Sequence, residues 1–260
     1  MSSRQLLPIV AVAALAGFAS SPASAALLDR IGVYGAGWEA NVDGTARIDA
    51  GSVAGTPYDL VDDGGTDDTT EAFELGMWFH PVGRHRIRAA YLELSTDGTA
   101  TLGRPITADG FPLLPGAAVA SRTDLKLYEA HYGYSFLNMD IVNVAAAVGV
   151  DHVDSSSSLR SGVGGGATDL SGTVPVVGVT AHVQPVGFFR AYAEIEYANW
   201  DAGGLDSEIV DFRLRLEFYF AHVFGLGVGY RDLKLRVEDS GEGLLDTRFD
   251  GFQALVLLRF

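Results

Sequence analysis

The chain has 260 residues, 33 acidic against 18 basic, and a formal net charge of −15. So acidic a balance argues against nucleic acid as the partner. It has no cysteine, so disulfides are excluded and stability must come from size and packing.

The first stretch, "MSSRQLLPIVAVAALAGFASSPASA", carries one early cation, Arg4, then an apolar run from Leu6 to Phe18, then small residues ending Ala23-Ser24-Ala25. That layout predicts a secretory signal peptide over 1–25, cut after Ala25, followed by one all-β domain over 26–260. Cleavage removes Arg4 and no acid, which moves the charge from −15 to −16. The apolar run falls short of the roughly 20 residues a transmembrane helix needs. No later stretch approaches that length, so a helical membrane protein is excluded.

Beyond the leader, side chains alternate in polarity with the period of two expected of strands. "RIGVYGAGWEANV" opens the series, and a polar loop, "DGTARIDAGSVAGTPYDLVDDGGTDDT", follows. "TEAFELGMWFH" then sets Phe73, Leu75, Met77 and Phe79 against Glu74, Gly76 and Trp78. The turn "HPVG" joins it to "RHRIRAAYLELS", where Ile87, Ala89 and Tyr91 oppose Arg86, Arg88 and Ala90. After a Gly/Pro-bearing connection from Thr96 to about Ala118, "DLKLYEAHYGYSF" sets Tyr128, Ala130, Tyr132, Tyr134 and Phe136 against Glu129, His131, Gly133 and Ser135.

The turn "LNMD" leads to "IVNVAAAVGVDHV", and a long Ser/Gly loop, "DSSSSLRSGVGGGATDLSG", separates that from "TVPVVGVTAHV". Past "QPVG", "FFRAYAEIEYANW" places Phe189, Ala191, Ala193, Ile195 and Tyr197 opposite Arg190, Tyr192, Glu194, Glu196 and Ala198. "EIVDFRLRLEFYF" alternates most clearly, with Val210, Phe212, Leu214, Leu216, Phe218 and Phe220 against Asp211, Arg213, Arg215, Glu217 and Tyr219. "AHVF", "GLGVGYRDLKLRVE", the loop "DSGEGLLDT" and the final "GFQALVLLRF" complete ten predicted strands, with eight also compatible.

Four connectors are tight turns and five are mostly longer and more polar. The set facing away from the apolar face holds Arg and Glu in matched numbers with Gly, Ala and Tyr, which suits a confined lumen better than a free surface. Strands of about 9 to 11 residues fit the tilted span of a bilayer. The pattern therefore predicts an antiparallel transmembrane β-barrel, apolar outside and polar inside, with short turns at the periplasmic end. Closure satisfies every backbone group in hydrocarbon.

The last residues, "FQALVLLRF", with Phe252, Val256, Leu258 and Phe260 on one face, resemble the C-terminal β-signal of Gram-negative outer-membrane barrels. "RHRIRAAYLELS" and "LGVGYRDL" are similar to small proteins of that class, many of unassigned function. The resemblance implies export through the periplasm, recognition by the barrel-assembly machinery, and contact with outer-membrane lipid and lipopolysaccharide. It names a compartment and a fold, not an activity, and a monomer is expected.

The interior candidates are Glu74, Arg86, Arg88, Glu129, His131, Arg190, Glu194, Glu196, Asp211, Arg213, Arg215 and Glu217. Buried charges need partners, and adjacent strands supply opposite signs, so a lumenal salt-bridge network that plugs the barrel is the economical reading. The alternative is the lining of a narrow pore for small solutes.

In the loop "DLVDDGGTDDTTE", Asp62, Asp63, Asp67 and Asp68, with Asp59 and Glu71, could hold Ca²⁺, but their spacing is not that of an EF-hand. A solvated acidic loop is the plainer expectation, and no cofactor is implied. Ten strands is also the count of the omptin proteases, whose acids and histidine sit at the outer rim. The rim candidates are Asp151, His152 and Asp154, with Ser155 near His152 and Asp201 after Trp200. No G-x-S-x-G, H-E-x-x-H or P-loop accompanies them. The sequence thus points to a structural or surface-interaction role, with a channel or a rim hydrolase (protease or lipid A-modifying) as the competing functions.

Overall fold

In the computed structural model, residues 31–220 and 223–260 are described, and the signal-peptide expectation lies outside them. The long strands are β1 (Ile31–Ile48), β3 (Thr69–Phe79), β4 (His85–Thr101), β7 (Ala118–Asn138), β8 (Val142–Ser161), β9 (Gly164–Val186), β10 (Phe189–Ala202), β11 (Leu205–Phe220), β12 (Phe224–Asp239) and β13 (Gly243–Arg259). Short strands β2 (Tyr58–Asp59), β5 (Ile106–Ala108) and β6 (Phe111–Leu113) lie in the connections. Each long strand pairs antiparallel with its chain neighbour, and β13 returns to pair with β1 from Gly32↔Arg259 to Ile48↔Gly243, closing a ten-stranded barrel. Closure leaves no open sheet edge, which is what a lipid-embedded sheet requires.

Strand length runs from 11 residues in β3 to 23 in β9. A bilayer needs only about 9 to 11 residues of a tilted strand, and the surplus has a distinct chemistry. In β12 the outward residues are Leu226, Val228 and Tyr230 at the lower end, where Ile31 and Phe260 meet, and Asp232, Lys234 and Arg236 above. Its inward residues change the opposite way, from Gly227, Gly229 and Arg231 to Leu233, Leu235 and Val237. In β13 the outward Phe252, Ala254 and Val256 give way to Asp250, Arg248 and Asp246, while inward Gln253 gives way to Phe249 and Leu245. β7 does the same, with Tyr128 and Tyr132 outward below Lys126, Asp124 and Arg122, and Glu129 and His131 inward below Leu127 and Leu125.

The barrel therefore has two halves of opposite polarity. Below, an apolar belt surrounds a charged lumen. Above, a charged exterior surrounds an apolar core that includes Val42, Ile48, Leu94, Leu125, Val153, Leu159, Leu170, Ile209, Leu235, Leu245 and Phe249. The expectation of polar residues inside applies to the lower half and is corrected for the upper.

Three of the expected long loops are corrected as well. "DSSSSLRSGVGGGATDLSG" is the upper part of β8 and β9, paired from Asp154↔Ser171 to Ser161↔Gly164, with only 162 and 163 between them. "DAGGLDS" contracts to a turn at 203–204, and "DSGEGLLDT" to one at 240–242. Hydroxyl and glycine side chains suited a loop reading, yet Ser155 and Ser157 are small enough to pack inward while Ser156 and Ser158 face out. The two long connections that remain fold back onto the core. Tyr58 and Leu60 from the first, and Leu102, Ile106, Ala108 and Leu113 from the second, are buried in the same cluster. They close the upper mouth.

Candidate functional site

The lumen of the lower half is crossed by a layer of ion pairs. Arg88 on β4 donates to Glu129 on β7 at 2.8 Å and to Glu196 on β10 at 2.8 and 2.9 Å. Arg213 on β11 reaches Glu129, Asp211 at 2.5 Å and Glu194 at 3.3 Å. Arg231 on β12 donates to Glu74 on β3 at 3.1 Å, to Glu129 at 3.0 Å and to both oxygens of Asp211. Arg215 reaches Glu74 at 2.8 Å, and Tyr34 on β1 donates to the same carboxylate at 2.5 Å. Gln253 on β13 adds a bond to Glu74 at 3.2 Å. Glu74, Arg213 and Arg231 are fully buried.

Because the bonds run between strands on opposite walls, the layer spans the lumen rather than lining it. Buried guanidinium forks suit this role: each is planar and serves several carboxylates at once. Small residues make the room. At Gly76 a Cβ would stand 2.3 Å from the Tyr34 ring, and at Gly149 one would stand 2.2 Å from the His131 ring. Trp38 separates this layer from the apolar core above, with the Arg231 guanidinium 5.4 Å from its ring centre.

At the lower mouth the charge balance changes. Arg190 leans on Gln184 at 3.1 Å and lies 3.8 Å from Glu217. Arg86 lies 5.2 Å from the Tyr192 ring centre. The twelve interior residues expected from the sequence thus divide into a connected layer, which holds all but Arg86, Arg190 and Glu217, and these three at the mouth. Tyr34, Arg231 and Gln253 of the layer were missed. Tyr34 reads as apolar in "GVYGAG", and Arg231 falls where the polarity of β12 changes hands.

The expected rim site does not assemble. Asp151 faces inward and accepts from His131 at 2.7 Å, whereas His152 and Asp154 stand on the outer face, 3.3 Å apart. Ser155 points into the core, away from His152. Asp201 is exposed.

The acidic loop does not converge on a cation site either. Asp59 accepts from the N–H groups of Val61 and Asp62, and Asp63 accepts from the Asp59 N–H and pairs with Arg104 at 2.6 Å. Asp62, Asp67 and Asp68 are exposed. Among the described residues, the group spaced for a metal is Glu129, His131 and Glu196, and Arg88 bonds all three. Phe252, 78% exposed, and Val256 face outward from β13 with Leu258 and Phe260 half-buried beside them.

No protein-family model matches the chain, and no curated relative does. Among solved structures it is similar to the outer membrane protease OmpT from Escherichia coli, at 11% identity and a TM-score of 0.62 over 90% of this chain and 97% of that one. Two further likenesses are the transport unit of the autotransporter AIDA-I from Escherichia coli (7% identity, TM-score 0.43, 89% and 90% covered) and the translocator domain of the autotransporter NalP from Neisseria meningitidis (11%, 0.41, 92% and 92%). This is the fold of the Gram-negative outer-membrane β-barrels. The apolar belt of this outer-membrane barrel meets lipid, so its place is the bacterial outer membrane. Both long connections lie at the capped end, and the longer loops of such barrels are the extracellular ones, which makes the capped end outer and the lower end periplasmic.

Proposed function

We propose that this outer-membrane barrel is a non-conducting one whose outer half presents a rigid surface to the exterior, a structural or surface-interaction role without covalent chemistry. The observation that carries this reading is the wall-to-wall ion-pair layer under a dry core: a solute crossing the barrel would have to part Arg213 and Arg231, both fully buried, from their carboxylates. The runner-up, a narrow pore, asks the same residues to line a path they instead fill. On this reading the belt meets lipid, the acidic exterior above it meets lipopolysaccharide through bridging cations, and the outward residues of β13 serve the assembly machinery. The barrel acts as a monomer.

The test is planar-bilayer recording of the refolded exported chain. The expected result is no stepwise conductance above the lipid baseline. Reproducible ohmic steps would establish the pore instead. Turnover of peptides or lipid A that disappears in His152→Ala would put a hydrolase in its place.

A further inference from the structure

The periplasmic mouth holds a recess that the network leaves unfilled. It encloses about 340 Å³ between the turn at 80–84 and the lower ends of β4, β7, β8 and β9, with Arg84, Arg86, His80, His85 and His182 on its walls. A deeper recess shares His80, Arg86 and His182 with it and runs in to Arg190, Tyr192 and Arg215. The only carboxylate on the walls of either, among the described residues, is Glu217, which already accepts from the Tyr219 hydroxyl at 2.6 Å.

This concentration of cations stands in a chain whose net charge is −15. Among the described residues Arg88, Arg190, Arg213, Arg215 and Arg231 of the lumen each have a carboxylate within 4 Å. Arg86 does not: among the described residues its guanidinium has no ion-pair partner, rests over Tyr192, and keeps a buried Nε–H without an acceptor. A buried donor with no acceptor is costly unless something supplies one. Opposite it, Ser135 donates to Asn143 at 3.0 Å and Asn143 to Asn138 at 2.9 Å, which leaves the Asn138 amide at the mouth as a further donor.

We propose that this vestibule binds a multivalent phosphate-type oxyanion entering from the periplasm, with Arg86 as its central ligand and Arg84 at the rim. Guanidinium forks match phosphate oxygens in pairs, and a ligand of two or more charges matches Arg84 and Arg86 together, the two wall arginines with no ion-pair partner among the described residues. The site is independent of whether the barrel conducts, because it ends on the ion-pair layer and opens on one side.

Two sources carry this chemistry, a soluble phosphate compound and the phosphate of an anionic lipid headgroup. The experiment titrates the refolded exported chain with inorganic pyrophosphate in phosphatidylcholine vesicles by calorimetry, and in parallel compares its thermal stability in phosphatidylcholine and phosphatidylglycerol vesicles. Saturable pyrophosphate heat that weakens about tenfold in Arg86→Gln identifies the soluble source. Stabilisation by phosphatidylglycerol that Arg86→Gln abolishes identifies the lipid. Arg122→Gln, on the outer face, should leave both unchanged. Should Arg86→Gln fail to fold, Arg84→Glu at the exposed rim must weaken the same signal. No response in either arm, or a response that survives both vestibule variants, overturns the site.

Discussion

Arg231 shows what one side chain does in this lumen. It is wholly buried and serves Glu74, Glu129 and Asp211 together. Arg231→Ala would take a shared guanidinium from three buried carboxylates and leave the layer with an uncompensated negative charge, and breaking a buried pair in this way costs about 3–5 kcal/mol. Arg236 makes equally short bonds to Glu238 and Asp246 on the exposed outer face, where screening leaves such pairs about 0–1 kcal/mol. Urea unfolding of the two variants in lipid vesicles should therefore separate them clearly.

Asp49, at the outer end, gives a pH expectation. Burial pushes its carboxyl up, but the bond from Arg47 and the Gly55 N–H outweigh that and leave it below its ordinary value. The folded chain thus binds this proton less tightly than the unfolded one. Its contribution is complete above the usual carboxylate range near pH 4 and is lost as pH falls through the lowered value. Limited proteolysis of the 49–56 segment should be flat between about pH 7 and 5 and accelerate below about pH 4, and Asp49→Asn should remove the acid step.

At the scale of elements, the β5–β6 hairpin does the most with the least. Ile106 pairs with Leu113 and Ala108 with Phe111, and through Ile106, Ala108 and Leu113 the hairpin covers the outer core. Leu113→Asp would place a charge there with no partner, a change in the class that costs more than about 3 kcal/mol. The expected outcome is a lower melting temperature with the membrane half still closed, read as retained heat-modifiable gel mobility and faster external proteolysis.

How much of this could be read from the chain follows the same division. The ten strands and most of the lumenal acids and arginines were legible because a lipid-facing strand alternates between extremes, as "EIVDFRLRLEFYF" does. The upper half was not, although it left a trace. In "GVGYRDLKLRVE" the apolar residues move from Val228 and Tyr230 to Leu233, Leu235 and Val237 with no inserted residue, so a side of the strand exchanges its solvent without exchanging its direction. Alternation alone reports that two faces differ, not which one meets water. The vestibule escaped for another reason: Arg86 looked like every other inward arginine, and only three dimensions show that among the described residues no carboxylate pairs with it.

For the molecule as a whole, the belt and the outer half set its position in the membrane. At 3.4 Å per residue and a tilt near 40°, the eight or so residues above the belt in β12 and β13 raise the tip of that hairpin roughly 20 Å beyond the hydrocarbon. The proposed surface role depends on that reach. Val228, 57% exposed, lies near the middle of the belt, so Val228→Arg should destabilise the inserted barrel by about 2–4 kcal/mol. The measurement is denaturant unfolding in vesicles of phosphatidylcholine.

The reversed polarity of the outer half has a consequence for biogenesis. Every hairpin tip must be carried through the oily slab before it can fold its dry interior, and the β12–β13 tip travels with Asp232, Lys234, Asp246 and Arg248 on its flanks. The Arg248–Asp232 and Arg236–Asp246 bridges between neighbouring strands cancel much of that load only once β12 and β13 lie side by side. Transit strand by strand would expose each charge singly to hydrocarbon; passage as paired, mutually neutralised ribbons is the cheaper route.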